Sequence, residues 1–71
     1  MRLSEIPAPS QVRDALVYGR PGDYQIKING DPLETRTGHA RRFRLCDSAV
    51  NLLNQHGLRT IRVELGSEAI A

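Results

Sequence analysis

Residues 40–65 change their hydrophobic period twice, and no other stretch limits the possible folds as strongly. Arg42-Phe43-Arg44-Leu45 alternates basic and apolar side chains, the pattern of a half-buried strand. Asp47 or Ser48 then opens an amphipathic helix. Ala49, Leu52, Leu53 and His56 fall on one stripe, and Gly57 offers the left-handed C-terminal stop. Thr60 to Leu65 alternates again, with Ile61, Val63 and Leu65 on one side. The expected elements are a strand over 41–45 with Phe43 and Leu45 inward, a helix over 48–56, and a strand over 59–65.

The residues before this unit add a further strand. Tyr24, Ile26 and Ile28 alternate with Gln25 and Lys27, so residues 23–29 read as a strand that Asn29-Gly30-Asp31-Pro32 turns. Residues 33–40 fit either a hairpin extension or a loop. Residues 10–18 support two readings. Ser10 can cap a helix carrying Val12, Ala15 and Leu16, with Gly19 as its stop, and this is the favoured one. Alternatively, residues 15–18 form a strand, and Pro21-Gly22 makes the type II turn of a hairpin. Residues 1–9 carry Pro7 and Pro9 and read as an arm; residues 66–71 read as a tail.

Three strands with one apolar side each and a helix with one apolar stripe have an economical solution. It is a small α+β two-layer sandwich, β-β-α-β, with the helix packed on one face of a three-stranded sheet. The N-terminal segment adds a helix or an extra strand.

The 71 residues allow one domain, 1–71. A chain of this size buries only about 60% of its unfolded surface, which leaves its stability marginal. Its lone cysteine, Cys46, closes no intramolecular disulfide, and with His39 and His56 it falls short of a four-ligand zinc set. No cofactor or metal is expected. Self-association remains as a source of stability, so a homodimer is an expected state. Met1 to Pro7 has no apolar signal core, and no run approaches the roughly 18 apolar residues of a membrane span, so the expected setting is cytoplasmic without membrane contact.

Charge is unevenly placed. Residues 1–35 total −1, residues 36–62 total +5 and residues 63–71 total −2. If the helix covers one sheet face, the other carries Lys27, Arg42, Arg44, Thr60, Arg62 and Glu64. Arg36, His39 and Arg41 lie in the loop beside it. Arginine grips phosphate with a planar two-pronged fork, so this surface reads as a footprint for duplex DNA, with Lys27, Arg36, Arg41, Arg42, Arg44 and Arg62 on phosphates. Single-strand binding by stacking is disfavoured, because Phe43 and Tyr24 are needed in the core.

No catalytic pattern is present. Cys46 near a helix start and His39 across a strand have no fixed relationship, and His56 suits the last helical turn as a cation. The glycines are scattered turn residues and form no phosphate loop.

The basic strand that carries Arg42 and Phe43, followed by Ala49, Leu53, Gly57 and Val63, resembles small accessory proteins of plasmids and integrative elements, some of them partition-associated. The arrangement is also similar to the arm-site DNA-binding domains of tyrosine integrases, which place a helix behind a three-stranded sheet. This chain lacks their aromatic first strand and adds a strand after the helix. Both resemblances imply a non-enzymatic accessory or regulatory protein of a mobile element that binds duplex DNA. The alternative is an adaptor or inhibitor module acting on a host protein, for which an exposed strand edge is suited.

Overall fold

Pro21 and Gly22 decide the N-terminal half of the molecule. The computed structural model describes residues 1–66, and Gly22 stands at φ +90°, as the second central residue of a type II turn must. The turn joins β1 (Ala15–Arg20) to β2 (Asp23–Ile28). The two are antiparallel, from Ala15 opposite Ile28 to Arg20 opposite Asp23. The favoured helix over 10–18 is therefore corrected to the strand alternative, preceded by a single 3₁₀ turn at Pro9–Gln11. Val12, Ala15 and Leu16 fit a helical stripe, but Ala15, Val17 and Gly19 also alternate with Leu16, Tyr18 and Arg20. As a strand, the segment gains a full ladder against β2.

Asn29 and Gly30 make the second turn, at φ +53° and +87°, the double positive of a type I′ hairpin. It leads to the two-residue β3 (Asp31–Pro32). The last strand, β4 (Arg62–Leu65), runs parallel to β1. The sheet has four strands in the order β3-β2-β1-β4, one more than expected, in the same α+β class.

The expected strand over 41–45 does not form. Phe43 alone pairs, exchanging both backbone hydrogen bonds with Tyr24 at 2.8 Å on the outer edge of β2. The preceding residues fold on themselves: Thr35 N–H donates to the His39 carbonyl, and Glu34 bridges to Ala40. The helix α1 (Cys46–Gln55) then starts two residues before the expected Ser48, directly after Leu45. Leu45 becomes the residue before the helix and is 64% exposed, not inward.

The end of α1 follows expectation in detail. Gly57 is left-handed at φ +88°. Its N–H donates to the Asn54 carbonyl, and Leu58 N–H donates to the Leu53 carbonyl, the paired bonds of a Schellman cap. Leu53 and Leu58, the two residues that this cap brings together, are both buried. His56, expected on the inner stripe, is exposed at the cap.

The core lies between α1 and the β1–β2 hairpin. Val17, Ile26, Ile28, Ala49 and Leu53 have no exposure, and Leu33 has 1%. Each fully buried Val, Ile or Leu side chain contributes roughly 1.5–3 kcal/mol. The helix covers β1 and β2. β4 lies beyond it, so Val63 and Leu65, expected inward, are 45% and 65% exposed.

Candidate functional site

The open face of the sheet is built in rows by the strand register. Leu16 stands between Lys27 and Arg62, and Tyr18 between Gln25 and Glu64. Tyr18 donates its hydroxyl hydrogen to Gln25 Oε1 at 2.9 Å, and Lys27 Nζ lies 5.1 Å from the centre of the Tyr18 ring, within cation–π range. Burial raises the Tyr18 phenol above its usual pKa, with nearby Arg42 opposing and Asp23 adding to the shift.

Two of the expected DNA-binding arginines on this face are already paired. Arg62 donates from Nε and Nη2 to both carboxylate oxygens of Asp14, at 2.8 and 2.9 Å. Its Nη1 donates to Glu64 Oε2 at 3.1 Å. These bonds hold the Asp14 carboxyl below its ordinary pKa and raise Arg62 above its own. Arg42 donates to Asp23 Oδ2 at 2.9 Å. The face is thus a lattice of alternating charge and not the open cationic platform expected.

Arg41 and Arg42 are consecutive residues of an extended segment, so their side chains diverge. Arg42 joins the open face. Arg41 lines a hollow of about 590 Å³ with Arg2, Leu3, Ser4, Glu34, Arg36 and His56. Backbone contacts assemble this hollow from three distant segments. Glu34 N–H donates to the Met1 carbonyl at 2.7 Å and brings the N-terminal segment alongside. Arg41 N–H donates to the Leu33 carbonyl at 2.9 Å, and the Schellman cap presents His56. Glu34 is the lining carboxylate, and it lies 3.5 Å from the Met1 ammonium. Among the described residues, Arg2, Arg36 and Arg41 have no carboxylate at ion-pair distance. Arg44 is likewise exposed and unpaired among them.

The six expected site residues are therefore divided. Lys27, Arg42 and Arg62 belong to the open face, Arg36 and Arg41 to the hollow, and Arg44 to the approach to α1. Arg2 and His56 complete the hollow without any cue in local spacing, because only the tertiary fold brings them there. A second hollow of about 540 Å³ lies between residues 9–15 and 57–62, and it includes the paired Asp14 and Arg62. Cys46 is the half-buried first residue of α1, and His39 is exposed in its loop.

Among the described residues, no group of His, Cys, Asp and Glu is arranged to hold a metal ion. No helix among them is long and apolar enough to cross a membrane. Comparison with protein-family models, curated proteins and solved structures finds no match to the chain.

Proposed function

We propose that this chain is a non-enzymatic accessory or regulatory protein that binds duplex DNA, with its phosphate contacts in the Arg2–Arg36–Arg41–His56 hollow and not on the sheet face. The contrast between the two arginine sets carries this reading. Arg62 has its hydrogen-bonding fork filled by Asp14 and Arg42 donates one bond to Asp23, whereas among the described residues no arginine of the hollow has a carboxylate at ion-pair distance. A guanidinium without a carboxylate partner presents its full fork to a phosphate. Lys27, over the Tyr18 ring on the sheet face, and Arg44, on the approach to α1, lie outside the hollow and are not part of the proposed contact.

Such binding is driven by release of counterions, so log affinity falls with log salt by about 0.9 per phosphate neutralised. Three arginines predict a slope close to 3. Titration of a labelled duplex at two salt concentrations tests this, and no binding at low salt removes the proposal.

The open edge of β4 favours a second reading, an adaptor or inhibitor that adds its strand to a host protein. Capture of a host partner that survives nuclease treatment would favour that role.

A further inference from the structure

The two edges of the sheet are treated differently. On one side, β3 ends in Pro32, and the N-terminal segment lies beside it through the Arg2–Glu34 bridge, the kind of protection that edges usually carry. On the other side, β4 reads Arg62-Val63-Glu64-Leu65, with no proline, no lysine and no covering element among the described residues. Val63 and Leu65 share the helix side of the sheet with their partners Val17 and Gly19, yet remain 45% and 65% exposed.

Backbone orientation makes this edge competent to pair. Gly66 N–H donates to the Gly19 carbonyl, so the even-numbered residues of β4 face β1. The N–H and C=O groups of Val63 and Leu65 then point outward.

We propose that two copies of the chain pair antiparallel through β4, about a two-fold axis that sets Val63 opposite Val63 of the second copy. The charges select this register. In it, Arg62 stands opposite Glu64 of the second copy and Glu64 opposite its Arg62, on the open face. On the helix side, Val63 meets its own counterpart and Leu65 meets Ile61. Sliding by one pair in either direction sets Glu64 against Glu64 or Arg62 against Arg62, which like-charge repulsion opposes. The even-numbered pairs are the close, non-hydrogen-bonded ones, where cross-strand side chains interact most strongly. The result is one continuous eight-stranded sheet with an isologous interface. The pairing does not depend on the Arg36–Arg41 hollow.

Sedimentation of the full chain across a wide concentration range gives the first test, with a dimer expected. Arg62→Glu and Glu64→Arg should each weaken the dimer about tenfold or more, because each replaces two attractive pairs with two repulsive ones. Mixing the two variants should restore a heterodimer, since every cross-strand pair is again opposite in charge. On the unaltered chain, amide exchange at Val63 and Leu65 should slow as concentration rises, which needs no variant to fold. A chain that stays monomeric throughout overturns the proposal and leaves the edge to another partner. So does a dimer that tolerates both reversals, or folded variants that fail to recombine.

Discussion

Asp14 and Arg62, 48 positions apart in the chain, meet in a two-point ion pair at 2.8 and 2.9 Å. The pair fastens the entry of β1 to the start of β4 and occupies one of the arginines that the sequence alone would assign to DNA. It also makes a prediction about acid. The Arg62 hydrogen bond lowers the folded-state pKa of Asp14. The stability that this contributes is complete above the ordinary carboxylate value of about 4 and is lost as pH falls through the lowered folded value. Arg62→Gln should return Asp14 toward its ordinary titration, followed by carboxyl NMR, and Asp14→Asn should remove this part of the acid dependence. Unchanged Asp14 titration after removal of Arg62 would refute the link.

Asn29 joins the same region from another direction. Its Oδ1 accepts from the backbone N–H groups of Arg13 and Asp14 at 2.6 and 3.0 Å, and its Nδ2 donates to the Gln11 carbonyl at 3.2 Å. Its backbone is left-handed at φ +53°. Asn29→Ala should cost about 2 kcal/mol, combining broken hydrogen bonds with a left-handed residue that lacks a compensating side chain. Asn29→Gly restores the backbone freedom but not the bonds, so it should cost less. Denaturant titration of both variants separates the two effects, and equal losses would show that the turn conformation contributes nothing.

How far the fold can be read from sequence depends on how local its causes are. The alternation of Tyr24, Ile26 and Ile28 needs only its own segment, and all three are buried in β2 as expected. The stop at Gly57 is equally local. Residues 10–18 are ambiguous in sequence because Ala15 and Leu16 belong to both periods, and the deciding gain is a ladder with residues 23–28. The charge of the open face is illegible for a related reason: Arg42 finds its carboxylate 19 positions away and Arg62 finds one 48 positions away. An alternating strand also does not reveal whether a helix reaches it, and α1 stops short of Val63 and Leu65.

Gly19 tests the hairpin itself. It lies in β1 at φ +135°, and a Cβ placed there would come 2.2 Å from the Asp23 carbonyl oxygen. That oxygen is backbone, so no side chain can swing aside. Gly19→Ala should therefore destabilise by at least about 2 kcal/mol, through overpacking and an unfavourable backbone. Gly22→Ala meets open space and should cost only the strain of its positive φ. Thermal unfolding of the two variants gives the comparison, and a Gly19→Ala variant as stable as Gly22→Ala would contradict the observed register.

The last prediction separates the two arginine sets by their effect on DNA. Arg36→Glu and Arg41→Glu should weaken duplex binding and lower the salt slope by about 1 for each phosphate left without its arginine. Arg42→Glu removes an arginine that already donates to Asp23, so it should change affinity less and leave the slope nearly intact. His56→Ala should weaken binding less than either arginine reversal, because it removes a lining side chain without reversing a charge. All four residues are exposed or half-exposed, so surface substitution should leave the fold within about 0.5 kcal/mol of its original stability, apart from the Asp23 pairing. Equal losses at Arg36, Arg41 and Arg42 would instead describe diffuse attraction to net positive charge, and the hollow would have no particular role.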